Sequence, residues 1–309
     1  MRTTLIHNPT AGDGEYAADH LLALLRDAGH AVRHRSTRDE DWADALTQSA
    51  DLVIAAGGDG TVTKVAAHLP GEVPLAILPC GTANNIATAL GIAGGPGELI
   101  AGWAEAAPRP FDLWTIQAPD GAHLVVEGVG LGVIAQVAAR MHGSGVEEFP
   151  RMEKLARARG LAQAVARHIE PFELRASCDG QDIAGRFLLV EGLNVGFAGP
   201  RLPWVGTADP GDRMIDVLLL HEELRADLCA WLEDGAARPW RAEPSLRGRS
   251  LRLEWNSEIL RIGDNAFWPS KGPDPRPQSG ATHHAELAHA GRSINILAPA
   301  RSRGPGEQA

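Results

Sequence analysis

Within residues 1 to 110 short apolar runs alternate with segments of helical period, and this alternation restricts the fold more than any other property of the chain. Thr3 to His7 reads as a strand. Glu15 to Ala28 carries apolar residues at positions 17, 18, 21, 22, 24, 25 and 28, which predicts an amphipathic helix stopped by Gly29. Ala31 to Ser36 is a second strand, Asp41 to Ser49 a second helix, and Leu52 to Ala56 a third strand. A helix over Val62 to His68, a buried strand over Val73 to Leu78 and a helix over Ala83 to Leu90, stopped by Gly91, follow. Strands alternating with helices predict a parallel sheet covered on both faces, with ligands at the carboxyl ends of its strands.

Beyond about residue 110 the texture changes. Phe111 to Gln117 and His123 to Val126 flank the turn Pro119-Asp120-Gly121, and Phe172 to Ser177 and Ile183 to Val190 flank Cys178-Asp179-Gly180-Gln181, so both read as hairpins. Further strands are expected at Met214 to Leu220, Leu251 to Trp255, Glu258 to Ile262 and Ser293 to Leu297, and helices at Val133 to Met141, Met152 to Ile169 and Leu224 to Leu232. The expected organisation is an α/β domain with a parallel sheet over 1–110 and a β-rich, sandwich-like or curled domain over 111–300. A polar tail occupies 301–309, and the strand near 293–297 is a candidate to return to the first domain. Two domains suit a chain of 309 residues, and the site is expected between them. Prolines 269, 273, 275 and 277 mark a surface loop.

A formal charge of −10 excludes a broad nucleic-acid-binding surface and strong attraction to anionic membranes. Residues 151 to 159 are the densest basic stretch, read as a solvated helix face. Cys80, Cys178 and Cys229 stand far apart in no metal-ligand spacing, and His283, His284 and His289 lack acidic or thiol partners at ligand spacing. With no signal-peptide pattern and no run long enough to span a bilayer, the expected location is the cytoplasm.

The third strand runs into Gly57-Gly58-Asp59-Gly60-Thr61. Glycines there let backbone N–H groups approach an anion beside a helix N-terminus, while a tight turn with an N-cap aspartate is the competing reading. Asp59 has the wrong sign to attract phosphate. It can bind an accompanying cation, position a donor or take a proton from an attacking hydroxyl. Two further turns lie on the same sheet edge: Asn8-Pro9-Thr10-Ala11-Gly12 after the first strand, and Gly81-Thr82-Ala83-Asn84-Asn85 after the fourth, where Thr82 can bond a phosphate or cap a helix. Asp212-Arg213-Met214-Ile215-Asp216 enters a strand of the second half.

Together these segments resemble, in order and spacing, the diacylglycerol kinase catalytic-domain family, which includes bacterial lipid kinases and sphingosine kinases and is related to NAD kinases. The resemblance implies ATP-dependent phosphorylation of a lipid hydroxyl, with nucleotide in the first domain and lipid approached by the second. It implies that residues 57 to 63, among them Gly57, Gly58, Asp59, Gly60 and Thr61, hold ATP phosphates, and that Asn8, Thr37, Gly81 and Thr82 contact nucleotide. It implies Mg2+ held through one aspartate and neighbouring backbone carbonyls, which would map to Asp212 with Asp209 and Met214, in a segment where Arg213 replaces a glycine of the family. The glutamate that the family uses as a base is replaced here by Asn265, which leaves Asp264 or Asp59 to receive the proton. Glu127 and Glu191 stand where the family usually has asparagine, and Ile134 where it often has aspartate; carboxylates near a triphosphate are repulsive unless paired or metal-bound. The implied partners are a lipid or amphiphilic alcohol, reached from the water side through transient contact with a membrane surface, and no nucleic acid; a homodimer is left open. The alternatives are a kinase for a non-lipid alcohol and a nucleotide-binding relative with little catalysis.

Overall fold

The computed structural model describes residues 1–12, 16–142, 149–256, 258–263, 266–269 and 281–299. Its first region contains β1 (Arg2–His7), α1 (Ala18–Asp27), β2 (Ala31–Ser36), β3 (Leu52–Gly57), α2 (Asp59–His68), β4 (Leu75–Pro79), α3 (Asn85–Ala89) and α4 (Pro96–Gly102). The four strands pair in parallel in the order β4-β3-β1-β2. Their buried Leu, Ile, Val and Ala side chains pack under α1, α2 and α4 in one core. The segment expected as a helix from Asp41 forms a 3-10 turn over Trp42–Thr47. It has few apolar residues to bury, Ala45 and Leu46, and polar side chains dominate the remainder.

The second region contains β5 (Ala107–Ala118), β6 (Gly121–Val125), β7 (Gly128–Gly132), α5 (Val133–Met141), α6 (Arg151–His168), β8 (Phe172–Cys178), β9 (Gln181–Leu193), β10 (Phe197–Ala198), β11 (Leu202–Pro203), β12 (Ile215–His221), α7 (Arg225–Glu233), β13 (Leu246–Gly248), β14 (Ser250–Trp255), β15 (Leu260–Ile262), β16 (Ala266–Trp268) and β17 (His283–Ala298). Both expected hairpins form, as β5–β6 and β8–β9. Alternate residues of β12 face opposite ways. Ile215, Val217 and Leu219 join an inner core with Trp114, Phe172, Leu251 and Leu287, whereas Leu218 and Leu220 join an outer core covered by α5, α6 and α7.

The expected strand at 293–297 is the end of a much longer one. β17 has 16 residues. It pairs antiparallel with β14 through its first half and with β5 along most of its length. Ile296 then pairs in parallel with Leu75 of β4. One hydrogen-bonded sheet therefore runs through both regions, in the order β16-β15-β7-β9-β8-β14-β17-β4-β3-β1-β2. Its register shifts between His289 and Ser293, beside Gly291.

Candidate active site

The carboxyl ends of β1, β3 and β4 form one rim of a cleft of about 950 Å³, and α5, α6 and the end of β15 form the other. Asn8, Thr37, Gly58, Asp59, Gly60, Thr61, Gly81 and Thr82 all line it. Gly57 lies just behind, with its carbonyl accepting the Cys80 N–H at 3.1 Å. β3 and β4 run side by side with Gly57 opposite Pro79, and this register brings the two glycine turns into contact.

Space, not backbone conformation, requires the glycines. A Cβ on Gly81 would fall 2.3 Å from the Gly58 Cα, and one on Gly57 would fall 2.2 Å from Thr61 Oγ1. None of Gly57, Gly58 and Gly81 has a positive φ. Asn84 does, at 52°, and its amide ties the second turn together, with Oδ1 accepting the Gly81 N–H and Nδ2 donating to the Pro79 and Gly81 carbonyls.

Asp59 is the first residue of α2, which begins three residues earlier than the pattern suggested. Its carboxylate is buried beside the cleft and accepts the N–H groups of Asn85 and Ile86, each at 2.9 Å. It thus caps α3 from another segment of the chain, fixing one glycine turn to the other. On the far side Arg201 donates to the carbonyls of Ala83 (2.6 Å) and Thr82 (3.2 Å). Burial, with Arg151 and Arg159 nearby, lowers the pKa of its guanidinium, and Asp59 opposes that shift.

Glu127 and Glu191 do not line the cleft. Both are buried around Arg261, which donates to Glu191 at 2.5 Å and lies 3.6 Å from Glu127. The same guanidinium donates to the Gly263 carbonyl at 2.5 Å, and Gly263 does line the cleft. Asn85 Nδ2 joins Glu127 (3.1 Å) to the Gly199 carbonyl (3.0 Å). The partner required by the extra carboxylates is thus Arg261, which sequence reasoning missed because its β15 strand is short and far away in the chain. Burial pushes the Glu191 carboxyl up to about 7, with Arg261 acting in the opposite direction. Ile134 is buried in the outer core and meets Gly199.

Cations and an apolar wall in the cleft also escaped the sequence reading. Arg38, Lys64 and Lys154 line it, as do His123 and His142. The basic stretch at 151 to 159 is accordingly more than a solvated face: Lys154, Leu155 and Ala158 of α6 form part of the cleft wall with Val137, Ala138 and Met141 of α5 and with Phe267. The apolar period of α5 was the available signal, but it could not tell core from cleft.

Asp209, Asp212 and Met214 do not line the cleft. Asp212 Oδ1 accepts the Met214 N–H at 2.8 Å, its Oδ2 accepts Arg247 Nη2, and Asp209 accepts the Gly211 N–H at 3.2 Å. Among the described residues no three His, Cys, Asp or Glu side chains are arranged to hold a metal ion. With one Asp212 oxygen taken by the Met214 N–H and the other by a guanidinium, the side chains of this turn do not fit a resident Mg2+. Asp264 and Asn265 lie outside the described residues.

Residues 2–116 match the diacylglycerol kinase catalytic domain model. A "Probable lipid kinase YegS-like" protein of Stenotrophomonas maltophilia is 33% identical over 243 residues, covering 69% of this chain and 74% of that protein. A diacylglycerol kinase of Bacillus subtilis is 38% identical over 127 residues, 36% of this chain and 41% of that one. A crystal structure of a diacylglycerol kinase from Bacillus anthracis superposes with a TM-score of 0.63 at 17% identity, covering 96% of each chain, and shares the fold.

Proposed function

The chain belongs to the diacylglycerol kinase catalytic-domain family of lipid kinases, and from that membership we propose that it transfers the γ-phosphoryl group of magnesium–ATP to a hydroxyl of a diacylglycerol-like or long-chain lipid. One observation carries this reading: a single cleft is lined both by glycine turns, threonines and cations and by an apolar wall of Val137, Met141, Leu155 and Phe267. A phosphate can lie on the N-terminal amides of α2, where Gly58 and Gly60 line the cleft without a side chain, and Thr37, Thr82, Lys64 and Arg38 line the same cleft. Phosphoryl transfer depends chiefly on such positioning and charge neutralisation, and the magnesium that accompanies ATP supplies part of the neutralisation. The apolar wall takes the acyl chain and leaves the hydroxyl near the phosphates.

Asp59 and Asp264 are the candidate proton acceptors. Asp59 lines the cleft while capping α3, and Asp264 follows Gly263, whose carbonyl Arg261 anchors at the cleft edge. Labelled ATP, Mg2+ and a mixed lipid extract test the reading. The expected result is a labelled product in the organic phase that falls at least tenfold with Asp59→Asn or Asp264→Asn. A product found only in the aqueous phase would assign a non-lipid alcohol, and equal labelling by both variants and wild type would remove the two carboxylates from the chemistry.

A further inference from the structure

The loop that the family resemblance marks as a magnesium site has a protein cation in it. Asp216 of β12 pairs in register with Arg247 of β13, and from that position the guanidinium reaches two carboxylates: its Nε lies 3.2 Å from Asp216 Oδ1 and its Nη2 bonds Asp212 Oδ2. The other Asp212 oxygen accepts the Met214 N–H. Nearby Asp112 is satisfied separately, by the Arg213 N–H at 2.6 Å, Ser293 Oγ at 2.5 Å and His289 at 3.3 Å. A hard divalent cation needs about six oxygen ligands at close range. Here it would have to displace the exposed Arg247 side chain and then bear the repulsion of a positive charge rooted on the neighbouring strand.

We propose that Arg247 is the permanent cation of this loop, replacing a bound divalent metal and joining β12 to the turn at Asp209–Met214. Asp216 and Asp212 are buried or half-buried, so removing the guanidinium leaves adjacent carboxylates without their counter-charge. The site would then acquire the chemistry of a divalent-cation site.

Thermal unfolding without nucleotide, in EDTA and in millimolar Mg2+, Ca2+ or Mn2+, tests this on wild type, Asp212→Asn, Arg247→Met and the double variant. Wild type and Asp212→Asn are expected to respond to the cations alike. Arg247→Met should gain a saturable rise of a few degrees in Tm, absent from the double variant. A wild-type response that Asp212→Asn abolishes would overturn the proposal by showing a metal bound beside Arg247. So would an Arg247→Met protein no more cation-sensitive than wild type. If Arg247→Met does not fold, the wild-type and Asp212→Asn comparison decides by the same criterion.

Discussion

Gly58 and Gly81 meet backbone to backbone: a methyl group on Gly81 would fall 2.3 Å from Gly58 Cα, which leaves it no room, and one on Gly58 would be tight at 3.0 Å from Gly81 Cα. Gly81→Ala is expected to destabilise the fold by about 1–3 kcal/mol, the usual result of overpacking, and to weaken ATP binding at least tenfold by prising the turns apart. Calorimetric titration with ATP beside a melting curve would check both. The sequence displayed these glycines plainly, but their reason depends on the β3–β4 register and was not legible. Arg213 illustrates the opposite case. It replaces the family's glycine and takes a φ of 60° with an exposed side chain, so Arg213→Gly should raise stability by up to about 1 kcal/mol, read from urea midpoints. Glu191 contributes a pH dependence. Its folded pKa, raised from 4.5 to about 7, makes it a stabilising group below pH 4.5 whose contribution is lost as pH rises through 7. Glu191→Gln should flatten the stability curve across that window, by at most about 1.4 kcal/mol per pH unit. An unchanged slope would show that Glu191 does not titrate there.

α3 has five residues, too few to persist without help, and Asp59 supplies its cap from α2. Asp59→Ala is expected to cost about 1–2 kcal/mol and to speed hydrogen exchange at the Asn85 and Ile86 amides. Asp59→Asn, with one acceptor oxygen remaining, should lose less protection while still impairing catalysis. This pairing separates the cap from the chemistry. Most elements were legible, because α1, α5 and the strands of the first sheet have strong apolar patterns. β17 was read only in part. Its alternation is real, with Ala285 and Leu287 buried between more exposed His284 and Glu286, but alanines and histidines carry a weak hydrophobic signal. The 3-10 turn at Trp42 failed for a related reason, since helical spacing without sufficient apolar area does not fix a helix.

Across the whole molecule, the class of fold followed from the alternation in the first 110 residues, whereas the continuity of the sheet did not. Nothing local in residues 283–298 announces that they pair with β14, β5 and β4 together. Because this strand adds to the cores of both regions through Leu287, Ile294 and Ile296, the two regions should lose structure together. Far-UV circular dichroism and tryptophan fluorescence are expected to trace one coincident urea transition, and two separated midpoints would contradict it. Cutting the chain after residue 106 would remove β17, one of the two strands beside β4, and leave β4 as an open edge, so that fragment should aggregate.

β17 also has a mechanical consequence. Where two lobes are joined only by loops, closing over a substrate is rotation about those loops. Here one strand crosses from lobe to lobe, and bending it is easiest at the irregular stretch from His289 to Ser293. Both of those residues hold Asp112. A change in cleft width that worked through this bend would therefore strain or release the Asp112 cluster, a group outside the cleft.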